Sequence, residues 1–203
     1  GSPVRPWKPC WQHKSVCGWD VMSFPPAHGR VRVEESDVDA SAFSGRADLG
    51  FAWSVKDSFL QYIRSMSDGA IRWRGGVAVT STGEFYFPLA SFETSASELA
   101  MDFRGELRFT AHRGLLSVSI AQPRIRLREG VAELSTRYDR DEESIATIEL
   151  PSLIRDGDVM MWLNCAVSLA PEGSDLFGST YPSGELMAPL TLRVPGTIGM
   201  PEG

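Results

Sequence analysis

Residues 99–120 read LAMDFRGELRFTAHRGLLSVSI. Alternation puts Phe103, Leu107 and Phe109 on one side of an extended chain over 99–110. His112-Arg113-Gly114 then makes a tight turn into a second strand over 115–120. Working outward, strands are predicted over 76–80 and 85–88, joined by the short glycine-containing connection Ser81-Thr82-Gly83-Glu84. Others are predicted over 124–127, 132–138, 145–150, 159–169 and 190–194, with the charged stretch 139–144 (DRDEES) as a solvated loop. One amphipathic helix stands out. Val55, Phe59, Tyr62, Ile63 and Met66 recur at helical spacing, and Asp68-Gly69 stops it. The expected fold is mainly β: an antiparallel sandwich or barrel-like domain with one main amphipathic α-helix.

Composition narrows the class of partner. The 203 residues carry 20 Lys+Arg against 26 Asp+Glu, a net charge of −6, which argues against a nucleic-acid binder with a basic face. No run approaches the roughly 20 apolar residues a membrane-spanning helix needs. A chain of this length buries enough surface to fold without a metal or disulfide. Gly1-Ser2 reads as a cloning scar, so any targeting or membrane-anchoring segment is expected to lie outside this sequence.

Residues 1–46 form an irregular leader, with a short strand over 30–33, ahead of a domain at 47–195 and a tail at 196–203. The leader holds Cys10 and Cys17 with His13 between them. This spacing lacks the paired Cys-x-x-Cys of zinc sites and reads better as a local disulfide, which implies an oxidising, extracytoplasmic setting. Trp7, Trp11 and Trp19 either pack on the domain or offer an aromatic surface to a protein partner, and packing is favoured. Cys165 alternates with Met161, Leu163 and Val167 and reads as an inert buried thiol.

Enzyme motifs are lacking. His13, His28 and His112 are scattered, and the sequence has no nucleophile elbow or phosphate-binding glycine loop. The helix is more informative. Ser58 and Tyr62 stand four residues apart and so are stacked on one face. By pattern alone, Tyr62 is either a buried, hydrogen-bonded tyrosine or an axial ligand presented to a flat apolar cofactor. By pattern alone, too, His112 shares a strand face with Arg108 and Thr110 and is a solvent-exposed turn histidine.

Four segments, in order, carry a resemblance. They are LGFAWSVKDSFLQYI (49–63), FYFP (85–88), FRGELRFTAHRGLL (103–116) followed by AQPR (121–124), and FGSTYPSG (177–184) through Pro189-Leu190. Together they resemble the HtaA domain family of actinobacterial haem-uptake proteins, and they cover about residues 48–194. The resemblance implies one haem b per domain, with Tyr62 as axial iron ligand and His112 hydrogen-bonded to its oxygen. It also implies that Ser58 contacts a propionate and that a C-terminal aromatic packs on the porphyrin. Phe177 is the nearest candidate for that aromatic, and Tyr181 is its rival.

The expected function is therefore non-enzymatic. The chain would capture haem at the cell surface or as a secreted protein, with haemoglobin as a candidate donor and downstream haem-uptake proteins as acceptors. Its rival is a secreted adhesion or carbohydrate-binding module using the leader's tryptophans. A haem enzyme is a third reading, since tyrosinate ligation also occurs in catalases. It is disfavoured because Tyr62 and His112 would act on the same side of the iron, leaving no acid–base group opposite.

Overall fold

The first strand, β1 (Gly50–Trp53), is four residues long and buried throughout. With strands numbered in chain order, it pairs antiparallel with β13 (Leu190–Pro195) on one edge and β4 (Phe85–Thr94) on the other. From β13 the sheet runs through β12 (Val159–Leu169), β10 (Asp141–Glu149), β9 (Val131–Tyr138), β8 (Arg124–Arg128) and β5 (Glu98–Phe103) back to β4. The sheet thus closes on itself as a barrel, which removes exposed edges. Short strands β3 (Ala78–Val79) and β11 (Ile154–Asp156) add to β4 and β12. This computed structural model describes residues 48–95, 97–138 and 141–196. The expectations for Trp7, Cys10, Trp11, His13, Cys17, Trp19, His28 and the strand over 30–33 lie outside the described residues.

Aromatic residues fill the barrel next to its closing strand. Phe51 stacks on Phe87 with ring centres 4.8 Å apart and meets Phe103 edge-on at 4.7 Å. A second, three-stranded sheet comprises β2 (Ala70–Arg74), β6 (Glu106–Ala111) and β7 (Leu116–Ala121), in the order β2-β6-β7. Its buried face bears Ile71, Trp73, Leu107 and Phe109. Helix α1 (Asp57–Ser65) packs there through Phe59, whose ring lies 5.1 Å from that of Phe109. A second, six-residue helix, α2 (Pro171–Leu176), follows β12.

The fold is mainly β and barrel-like, as the alternation predicts, but several boundaries differ. The single strand expected over 99–110 is two strands, β5 and β6, in different sheets. The chain breaks at Gly105, where φ is 100° and a Cβ would lie 2.4 Å from Val77 Cγ2 and 2.7 Å from the Arg74 carbonyl oxygen. Only glycine tolerates both conditions. The expected loop over 139–144 is strand from Asp141 onward. Glu142 within it is paired, accepting hydrogen bonds from Arg126 (2.9 Å) and Ser135 (2.7 Å). The helix starts at Asp57, because residues 50–53 are strand and Val55 turns the chain with a left-handed φ of 63°.

The AQPR segment has a structural use. Arg124 forks onto Asp102, its cross-strand neighbour, through Nε (2.7 Å) and a terminal nitrogen (2.9 Å). Burial alone would raise the Asp102 pKa, but the Arg124 fork, the Arg137 charge and the Ser91 hydroxyl outweigh it and hold it below the usual carboxylate range.

Replacing Gly105 by Ala should destabilise the ligand-free protein by about 2 kcal/mol or more, read as a lowered denaturant midpoint. An unchanged midpoint would mean that the break between β5 and β6 does not need glycine. Because the folded Asp102 pKa is depressed, its contribution is present above the ordinary carboxylate pKa and lost as pH falls through the depressed value. Denaturation midpoints measured from about pH 5 down to pH 3 should therefore fall more steeply for the wild type than for Asp102→Asn.

Candidate functional site

Helix α1 buries Phe59, Leu60 and Ile63. At about 100° per residue, Ser58 and Tyr62 fall together on the flank of that buried arc. Tyr62 is accordingly 42% exposed and is not the buried tyrosine that the apolar stripe allowed. It is nonetheless partnered. Its Oη lies 2.5 Å from His112 Nε2, across 50 residues of sequence.

His112 does not continue strand β6, so the strand-face argument does not reach it. The strand ends at Ala111, and His112–Gly114 form a 3-10 turn. All three turn residues are left-handed, with φ of 54° at His112, 57° at Arg113 and 88° at Gly114. That conformation swings the imidazole out of the strand's alternation and over α1. Asp68, just beyond α1, accepts the Arg113 backbone N–H. That bond first, with the His112 N–H adding to it, holds the exposed Asp68 carboxyl below its ordinary pKa against the opposing effect of desolvation.

The loop after α2 borders the same helix flank. Ser58 Oγ and Tyr181 Oη are hydrogen-bonded at 3.1 Å. Lys56 Nζ donates to the Leu186 carbonyl oxygen at 2.6 Å, pairs with Glu185 at 2.9 Å and lies 5.4 Å from the centre of the Tyr181 ring. Phe177 is 1% exposed and meets Phe59 edge-on at 5.1 Å, with Tyr181 outside it at 6.3 Å. Leu116, at the start of β7, approaches Gly178 in this loop. Leu115, beside the histidine turn, is 92% exposed. A half-open phenol, an imidazole, two further hydroxyls and apolar surface thus converge from three separate segments.

The sequence model of the HtaA family (Htaa) matches residues 48–193. The chain belongs to the HtaA family. Among curated proteins no match is found. Solved structures with a similar fold include the C-terminal domain of HtaA from Corynebacterium glutamicum, with a TM-score of 0.63 and 24% identity over 72% of this chain and 94% of that one. The N-terminal domain of the same protein gives 0.60 and 22%, covering 71% of this chain and 96% of that one. The heme binding protein HtaB from the same organism gives 0.52 and 22%, covering 70% and 90%.

In this HtaA-family chain, all four residues singled out from sequence, Ser58, Tyr62, His112 and Phe177, gather around one helix. Sequence reading missed Asp68, noting it only as a helix stop, and also missed Lys56. A signal for Asp68 was present: an acidic residue just past a helix C-terminus opposes the helix dipole and calls for another partner. Among the described residues, no group of three or more His, Cys, Asp or Glu is arranged to hold a metal ion.

Cys165 is fully buried and free, as alternation suggested. A bulge near Asn164 (φ 55°) interrupts β12, so the buried alternation runs on from Cys165 through Val167 and Leu169. Burial pushes its thiol up to about 11. At about pH 8 an alkylating reagent should therefore label Cys165 only after denaturation, as peptide mapping would reveal. Rapid labelling of Cys165 in the folded chain would contradict this assignment.

Proposed function

We propose that this chain is a non-enzymatic haem-binding domain that takes one haem b, with Tyr62 as the axial ligand to iron. The observation that carries the reading is the half-exposed Tyr62 phenol held 2.5 Å from His112 Nε2 in a chain of the HtaA family. The residues suit the group. A phenolate is a hard anionic oxygen ligand suited to ferric iron, and tyrosine is an established haem ligand. When bound, haem supplies a Lewis-acidic iron and a flat apolar ring with two carboxylates.

The chain's own residues account for the remaining requirements. An isolated phenol has a pKa near 10, so Tyr62 must give up its proton to act as a ligand near neutral pH. In the ligand-free protein the phenol O–H can donate to a neutral His112 Nε2. Once the phenol is ionised, an Nε2–H donates back to the oxygen and holds it in place. Ser58 Oγ and Lys56 Nζ, at the start of α1, are the donors suited to a propionate. Tyr181, half-buried and outside Phe177, offers the accessible aromatic surface, and Phe177 supports it from beneath.

In this reading the domain works outside the cytoplasm, at the cell surface or secreted. It captures haem, with haemoglobin as a candidate donor, and passes it to downstream uptake proteins. The open position of Tyr62 supports a relay, because a partner can approach it. Haem titration tests the reading: the wild type should give a Soret band saturating at one equivalent. Tyr62→Ala should lose that band while keeping its far-UV circular dichroism. Full stoichiometric binding by Tyr62→Ala would overturn the ligand assignment. No band in the wild type would instead favour an adhesion or carbohydrate-binding module.

A further inference from the structure

The histidine turn is held from outside itself. Three consecutive left-handed residues, two of them bearing side chains, make a conformation that an isolated hairpin tip does not favour. Within the turn the Leu115 N–H donates to the His112 carbonyl oxygen at 3.1 Å. From outside, the Asp68 carboxylate accepts the Arg113 N–H, and Tyr62 Oη holds the His112 ring.

Both outside grips come from α1 and its end. Tyr62 is in the helix's last turn, and Asp68 lies three residues past Ser65. Asp68 is itself fixed: the Gly69 N–H donates to the Met66 carbonyl oxygen at 3.0 Å. Gly69 packs so closely on the helix end that a Cβ there would lie 1.8 Å from the Ile63 carbonyl oxygen. One rigid segment therefore presents the phenol and a backbone anchor to the same three-residue turn. The carboxylate is exposed, so its removal leaves the core intact.

We infer that Asp68 is a positioning residue that holds the 112–114 turn so that His112 Nε2 stays on the Tyr62 phenol. The inference rests on Tyr62 being the haem ligand for its functional consequence, but the grip itself exists in the ligand-free chain. A carboxylate-to-amide bond is charge-assisted and stronger than a neutral one. Without it, the turn should relax and the imidazole should leave the phenol part of the time.

The test compares Asp68→Ala, Asp68→Asn, His112→Ala and the Asp68→Ala/His112→Ala double variant. In the ligand-free protein, Asp68→Ala should speed Arg113 amide hydrogen exchange by about tenfold and shift the His112 ring nitrogen resonances. Asp68→Asn, which keeps an acceptor oxygen, should restore most of both. With haem bound, Asp68→Ala should speed haem loss to excess apomyoglobin towards the His112→Ala rate, and add nothing in the His112→Ala background. Wild-type Arg113 exchange in Asp68→Ala would overturn the inference, as would equal acceleration of haem loss with and without His112. If Tyr62→Ala kept its haem, the functional reading would fall, yet the exchange and ring-nitrogen measurements on ligand-free protein would still decide Asp68's role.

Discussion

The double pairing of β1 is the constraint on which the rest of the molecule depends. Four residues, Gly50–Trp53, join β13 from the far end of the described chain to β4, and so close the sheet. The segment from Trp53 to Val55 then fixes the origin of α1. Trp53 Nε1 donates to the Ala188 carbonyl oxygen at 2.7 Å, and the Ala188 N–H donates to the Val55 carbonyl oxygen at 2.8 Å. The helix that carries Ser58 and Tyr62 is thereby launched from a point tied to the C-terminal loop. Its own core contacts, Phe59 on Phe109 and on Phe177, then set its rotation. Barrel closure, helix position and the approach of the 177–186 loop are one linked packing problem, because interiors at crystal-like density leave little freedom to adjust one without the others.

Rotation explains why helical spacing alone, without the motif match, placed Tyr62 on the buried stripe. Helical spacing gave the right period but not the centre of the buried arc. Leu60, left out of the apolar stripe, is buried, whereas Tyr62, counted in it, is not. The centre is set by the three-stranded sheet beneath, of which β2 was not predicted and β6 was merged with β5. Strand β2 is only five residues long, and the path from β5 to β6 reads as one continuous alternation through Gly105. Alternation is a local property, blind to a chain that changes sheet without changing phase. A glycine inside a strand pattern was the one visible mark of that switch.

The histidine was legible for a different reason. Its position in the turn was plain, but its direction was not, because alternation assumes extended backbone and His112 is left-handed. The motif match supplied what the period could not: Phe109 to Gly114 matter as a unit, with a strand that anchors and a turn that reorients. The charged stretch from Asp141 shows the converse. Composition suggested a solvated loop, yet Glu142 lies on the sheet because Arg126 and Ser135 are there to receive it. Whether charge means loop or strand depends on the neighbouring strand's charges, and those pairings are long-range.

An exposed tyrosine on a helix ordinarily samples several rotamers, and ordering it costs entropy. Here the ring is held at its tip by an imidazole whose own backbone is gripped from the same helix segment. The arrangement forms a short closed loop of contacts, running from α1 through Tyr62 to His112, along the turn to Arg113, and back through Asp68 to the end of α1. Such a loop can be pre-organised without burial, because each member limits the motion of the next. Pre-organisation reduces the ordering cost left at the moment of binding. In the proposed role, the half-open phenol stays within reach of another protein's surface. Rigidity here comes from the circuit of hydrogen bonds and openness from the rotation of the helix, so a single site can be both well defined and accessible.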